Sequence, residues 1–455
     1  MPVKQRRVDV TKEDCVIGPK QDGRVFPQLT VLVSVTATGL LLMCGGTCPL
    51  WLPGLPSAEN MDGYPLFPRI PVFWIFPEFS LLFQWVLFVS GAMLLLLVSL
   101  GCFLPLKNGW QKTAGGGFIL ICTLLILEDQ HRFVPWVYQS LLFLAGWVFF
   151  RPENALKFAR VSIVGVYFFS AISKLDYQFV MTTGRQMLEI SMSLIGLDTA
   201  TWPPLLVSAF VLLLPILEIG VALGLMFPMT RWVSLGLGTL MHAGLVVVLG
   251  PWGMGNEASV LIWNGFIAVE LCILFGWRSR SGEEASNKSL FWPATTGLRC
   301  LFGLVVCMPL LDSIRLIDHW PAWALYAPKT SRCRLWIHDW KVRLLAPEKQ
   351  RWIQEGSDDS RRSAQQFGWR EVDLAKWSLQ SLKTPLYPQD RFQLGVCRDL
   401  VQQWQLDRAF FVEVQSSSNV WTGQRKSKKI SSRLELERAS NRFWGNSQSR
   451  GYYRH

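Results

Sequence analysis

Long apolar runs separated by short polar links dominate the first 315 residues. They fall at 26–44, 80–104, 115–128, 133–150, 157–175, 205–227, 232–250, 257–276 and 297–315. A helix needs about 20 apolar residues to cross the roughly 30 Å hydrocarbon core of a bilayer, so these runs predict about nine transmembrane helices. The third run is short and opens on Gly115, Gly116 and Gly117, so its helix is expected either to begin earlier or to pack inside the bundle. Pro53, Pro56, Pro65, Pro68 and Pro71 break up the link after the first helix. Beyond Ile317 the pattern changes. Arg334–Ile337 and Ala409–Val414 read as strands from their apolar and β-branched content, and Gln389–Trp404 reads as an amphipathic helix. From Ser416 the chain is rich in Ser, Arg, Lys and Asn, and its end is expected to be disordered. The expected fold is therefore an all-α polytopic membrane bundle with a small C-terminal α+β extramembrane domain. Its divisions are a cytoplasmic segment at 1–25, the transmembrane domain at 26–316, the α+β domain at 317–415 and a basic polar tail at 416–455.

Composition agrees with this pattern. Half of the 455 residues are hydrophobic and only 17% are charged, against about 25% in a soluble domain. The 22 tryptophans suit a protein with two membrane interfaces. A net charge of +12 raises the question of nucleic acid. About ten of those charges lie beyond Ile317, however, and no basic-aromatic RNA motif, zinc finger or helix-turn-helix pattern accompanies them. The expected partner is the lipid bilayer and not nucleic acid; protein partners stay open. The first 24 residues mix both signs of charge, so the first apolar run reads as a retained helix and not as a signal peptide.

The short links set an orientation. Lys107 and Lys112, then Arg151, Lys157 and Arg160, then Arg231, then Arg278, Arg280, Lys288 and Arg299 occupy alternate links, on the side of the basic N-terminus. Glu59, Asp62, Glu78, Asp129 and Glu257 lie on the other side. The positive-inside rule makes the first side cytoplasmic. The chain is then a multi-pass protein of the cell membrane with its C-terminal domain outside.

Ionisable residues inside spans are costly and tend to mark function. Glu218 and His242 each lie roughly 16–20 Å from the turn that joins their helices, at 1.5 Å per residue. An antiparallel hairpin puts them at similar depth, where they can form a buried polar pair. Its role is a proton relay, a cofactor contact or a packing device. A second group gathers at the outer end: Glu128, Asp129, His131 and Arg132 in one link, Lys174 and Asp176 after the fifth helix, Trp252 and Glu257 before the eighth. Lys174 reads either as a snorkelling anchor or as a desolvated general base. The ten cysteines show no metal-ligand spacing, and no metal site is expected. Disulfides Cys44–Cys48 and Cys333–Cys397 are candidates. No P-loop, GxSxG, HExxH or dinucleotide fingerprint is present.

The stretch Tyr167–Asp176, YFFSAISKLD, resembles the segment that carries the catalytic lysine in vitamin K-dependent gamma-carboxylases, with Lys174 at the lysine position. Glu218, Arg231, His242 within LMHAGL and Gly250 follow the order seen in the broader family of horizontally transferred transmembrane domains. The resemblance covers roughly residues 25–315. It implies a reduced quinone as cofactor and Lys174 as the general base, oriented by Asp176 or Asp129, with His131 among the catalytic candidates. Glu218 and His242 would shape the buried cavity. In the link EDQHRFVPW, His131 departs from the family's His position, and the C-terminal part is much smaller than that of the carboxylases. Similar four-helix cores in DoxX- and MauE-like proteins imply an alternative, a quinone-linked redox subunit. A non-enzymatic scaffold with an outer partner-binding domain is a third reading.

Overall fold

The computed structural model describes residues 27–52, 67–103, 108–277, 291–293, 295–314, 316–354, 368–443 and 445–450. The segment 1–25, most of the proline-rich link, Lys107 and the basic link at 278–290 lie outside the described residues. The main helices are α1 (Pro27–Gly46), α2 (Cys48–Trp51), α3 (Leu81–Ser99), α4 (Asn108–Glu128), α5 (Pro135–Phe149), α6 (Pro152–Lys174), α7 (Tyr177–Met181), α8 (Thr183–Ser193), α9 (Pro204–Met226), α10 (Arg231–Leu249), α11 (Ala258–Gly276) and α12 (Thr296–Cys307). Prolines open α5, α6 and α9 at positions where a helix has no use for the missing N–H. Ser80 caps α3 by accepting the Phe83 N–H at 3.2 Å.

Among the described residues, eight helical segments, not nine, are long and apolar enough to cross a membrane: α1, α3, α4, α6, α9, α10, α11 and the Thr296–Ile314 segment that continues α12. The chain is a multi-pass integral membrane protein. The shortfall is α5, whose 15 residues reach only about 22 Å at 1.5 Å per residue. It still runs between the two ends of the bundle. Just before α5, His131 touches the C-terminal region at Pro385; just after it, Phe150 packs on Phe158 and Phe302 at the opposite end. The helix of the third run begins earlier than its apolar core, at Asn108. The glycines at its start serve packing: a Cβ on Gly115 would lie 2.6 Å from the Trp147 ring of α5.

The C-terminal region caps one end of the bundle. Its four-stranded antiparallel sheet has the order β2-β1-β3-β4, with β1 Arg332–His338, β2 Trp369–Val372, β3 Phe410–Gln415 and β4 Ser427–Ile430. Leu335 pairs with Val412 and Trp336 with Phe411. The helix Asp390–Gln403 covers β1 and buries Phe392, Val396 and Leu400 completely. The strands and helix expected at 334–337, 409–414 and 389–404 are thus present.

The tail differs from expectation. β4 occupies the edge beside β3, with Val412 opposite Ile430, and a helix follows at Arg433–Ser440. Three of the four β4 residues face solvent, which is why the segment reads as a solvated tail. Arg450 donates its backbone N–H to Arg69 O at 3.0 Å and its guanidinium to Pro77 O at 2.9 Å, which pins this part of the tail to the link before α3; the last five residues, 451–455, lie outside the described residues. The expected boundary at 415 therefore falls inside the sheet.

Neither candidate disulfide is formed: Cys44, Cys48, Cys333 and Cys397 are free thiols. Cys333 gives its S–H to Asp390 O at 3.4 Å, and Cys397 is fully buried among apolar side chains. Burial pushes both thiols well above their ordinary range, which disfavours the thiolate that disulfide chemistry needs.

Candidate functional site

Tyr167, Ser170 and Lys174 stand three and seven residues apart on α6, so they share one face. That face meets Glu218 of α9, His242 of α10 and Asn264 of α11. Lys174 Nζ lies 2.8 Å from each carboxylate oxygen of Glu218 and 2.6 Å from Ser170 Oγ. An ammonium has three N–H donors, and here all three meet oxygen. Both members of the pair are almost wholly buried, at 3% and 5% exposure. A buried ion pair of this kind holds its geometry only when the remaining hydrogen bonds are also made.

Beside it runs a second chain of contacts. Tyr167 Oη is 2.5 Å from His242 Nε2, and His242 Nδ1 is 2.9 Å from Asn264 Oδ1. Asn264 Nδ2 donates to Val260 O at 2.8 Å, which identifies Oδ1 as the acceptor facing the imidazole. His242 therefore carries its proton on Nδ1 and accepts the tyrosine O–H at Nε2, a tautomer assigned from the network.

These groups line a cavity of about 50 Å³, enough for a few waters. Leu325 and Tyr326, from the loop after α12, close it on one side. A larger apolar cavity of about 290 Å³ lies between α8, α9 and α10. Met187, Leu214, Met241 and Leu245 line both and form the partition between them.

Of the residues expected from sequence, the structure brings Lys174, Glu218 and His242 to this one cavity. The expected depth match of Glu218 and His242 is present, but their pairing is not. The Glu218 carboxylate is taken by Lys174, and the His242 imidazole by Tyr167 and Asn264.

The other three candidates make contacts of their own, away from the lysine head. Asp176 accepts the Phe179 N–H at 3.1 Å and caps α7; burial holds its carboxyl above the ordinary range. Asp129 accepts the N–H of His131 at 3.1 Å and that of Ile70 at 3.4 Å. Burial raises its carboxyl, against the lowering pull of Arg132. His131 sits among Phe67, Trp320, Tyr387 and Phe392, with Nε2 2.9 Å from Pro385 O. Burial pulls its imidazole down to about 4, so it is neutral and donates from Nε2. His131 joins the bundle to the C-terminal region, and Asp129 holds His131 and Ile70 in the links at that end. Neither orients Lys174, and neither does Asp176.

Sequence reasoning missed Tyr167, Ser170 and Asn264. The first two lie within the stretch that singled out Lys174, at helical spacing from it. It also missed Glu270 on α11, which accepts from Thr36 Oγ1 at 2.8 Å and Gln139 Nε2 at 2.6 Å. Gln139 in turn accepts from Trp263 Nε1 at 3.0 Å. The signal for Glu270 was plain: a carboxylate deep in an apolar run. No protein-family profile, curated protein or solved structure matches the chain.

Proposed function

We propose that this protein is a membrane enzyme in which the Lys174–Glu218 pair moves a proton to or from a lipophilic substrate that arrives from the bilayer. The observation that carries this reading is the pair itself, held by Ser170 in a cavity next to an apolar one. The resemblance of the Lys174 stretch to the gamma-carboxylases and their transmembrane relatives supports a reduced quinone as the substrate class. A cavity of about 50 Å³ is below the 300–1,000 Å³ usual for small-molecule sites. The ring would therefore displace the four-residue partition, and two of its members are methionines, whose side chains repack readily.

In this proposal Lys174 is the proton acceptor only after its own proton has passed to Glu218. The transfer runs across a 2.8 Å contact and leaves a neutral amine facing a neutral acid. Ser170 keeps the amine in place. Tyr167, His242 and Asn264 form a fixed dipolar wall opposite, with the tyrosine O–H committed to His242. The basic end of the bundle, with Lys112, Arg151, Arg160, Arg231 and Arg299, faces the cytoplasm, and the C-terminal region faces outward. α5 counts as a ninth, shorter crossing in this topology.

A structural reading competes, because all three Nζ donors are satisfied and the pair clamps α6 to α9. The two separate on one assay: oxidation of a reduced naphthoquinone by dissolved oxygen, catalysed by the protein in lipid nanodiscs, with wild type, Lys174→Ala and the double variant Lys174→Met/Glu218→Leu. The proposal expects turnover in wild type alone. Turnover that persists in a folded double variant would leave the pair only a packing role.

A further inference from the structure

Between the membrane helices and the C-terminal region lies a cavity of about 420 Å³ that the Lys174 site does not use. Ile172 in the last turn of α6 and Leu310 of the segment that continues α12 give it an apolar wall at the ends of two membrane helices. The C-terminal region adds polar side chains to the cavity. His319, Gln389 and Ser418 line it, and each is at least nine-tenths buried. Among the described residues, each also has a polar atom with no hydrogen-bond partner: His319 Nε2, Gln389 Oε1 and Ser418 Oγ. His319 Nδ1 lies 2.7 Å from Asp312 Oδ1, yet out of line for a hydrogen bond.

The charges are mixed. Among the described residues, Lys329 supplies one ammonium, and Asp312 and Asp390 supply two carboxylates. A simple anion would meet both carboxylates, and a simple cation would meet the lysine. A ligand with both signs suits the wall. Its position narrows the class further: Leu310 and Ile314 beside it are exposed, and the span they belong to ends at Ile314. The cavity therefore sits at the level where lipid headgroups meet water.

We infer that this cavity binds a zwitterionic phospholipid headgroup with a primary ammonium, its phosphate toward Lys329 and its ammonium toward Asp312 and Asp390, with the acyl chains passing Ile172 and Leu310 into the bilayer. The orphaned atoms of His319, Gln389 and Ser418 are the hydrogen-bonding groups that the headgroup satisfies. The loop between the two sites is shared. His319, Ala322 and Ala324 face the headgroup cavity, whereas Leu325 and Tyr326 close the Lys174 cavity. A bound lipid would brace that loop.

The test uses full-length protein, stripped of lipid in non-ionic detergent and titrated with dihexanoyl phosphatidylethanolamine, read by native mass spectrometry. One lipid per chain is expected, with affinity about tenfold weaker in Lys329→Ala and in Gln389→Ala, a loss of about 1.4 kcal/mol each. Phosphatidylcholine, whose quaternary ammonium has no N–H to donate, should bind more weakly by a similar factor. Soluble phosphoethanolamine should bind weakly too; equal affinity for it would overturn the assignment to a lipid. Equal binding of phosphatidylglycerol, or undiminished affinity in both variants, would overturn the headgroup assignment. Ser418→Ala serves as the probe if either variant fails to fold. None of these readouts depends on Lys174 chemistry.

Discussion

The Lys174–Glu218 pair inside the bundle and the Glu128–Arg132–Arg69 cluster at its capped end are both withdrawn from water, yet their surroundings differ. Around Arg132 the guanidinium meets protein oxygens throughout: Leu50 O, Leu125 O, Trp51 O, Gln84 and Glu128. An arginine has five N–H donors, so nothing is left over. Glu128 also binds Arg69 at 2.7 Å. This cluster ties α4 to α2, to α3 and to the link before α3. Lys174 is saturated as well, but its pair borders a cavity that only four side chains separate from an apolar one. Burial and charge alone do not separate a scaffold from a reactive site; the adjoining space does.

Substitutions sharpen that contrast. The largest effect is expected for Arg132→Ala, which leaves Glu128 with one cation fewer at zero exposure. Breaking a buried pair from one side costs about 3–5 kcal/mol, read as a fall in unfolding temperature or as failure to accumulate. Lys174→Ala should cost a similar amount, because it strands Glu218. The double variant Lys174→Met/Glu218→Leu should recover most of that stability, since replacing a whole buried pair by apolar groups is often neutral. Failure to recover it would show that the site is held by more than the pair.

A smaller effect is expected from pH at the capped end. His131 titrates near 4 in the folded protein against about 6.5 unfolded. The folded form therefore binds fewer protons between these values, and stability falls as pH drops from 6.5 toward 4. The full loss is about 3 kcal/mol, at about 1.4 kcal/mol per pH unit. Above pH 7 this contribution is constant. His131→Phe should remove the acid sensitivity, measured as the difference in unfolding temperature between pH 7 and pH 5; an unchanged difference would assign it to other groups. The smallest effect is expected for Glu270→Gln. It keeps one acceptor oxygen for two donors and should cost about 1 kcal/mol.

The sequence carried the membrane helices well, because length and apolarity alone decide whether a helix can cross. It did not carry the brevity of α5: Phe133 and Val134 extend the apolar run in sequence, but Pro135 sets where the helix begins. Lys174, Glu218 and His242 were each legible as charged or polar groups in apolar surroundings. Their pairing was not. Lys174 finds its carboxylate 44 positions later, across a helix contact that spacing along the chain cannot reveal. Hairpin geometry gave the common depth of Glu218 and His242 but not their rotation about the helix axes, and rotation decides the partner. The tail was misjudged because a two-sided edge strand such as β4 needs only Ile430 buried.

The account rests on Lys174 being a proton-transfer group and not only a clamp. The most direct test is the catalysed oxidation of a reduced naphthoquinone by dissolved oxygen in nanodiscs carrying Glu218→Gln, a variant that keeps the shape and a hydrogen bond to Lys174 but cannot take its proton. The account predicts a loss of turnover of about 100-fold or more, in the range usual for general acid–base groups, with the fold intact. Turnover within a few-fold of wild type would contradict it.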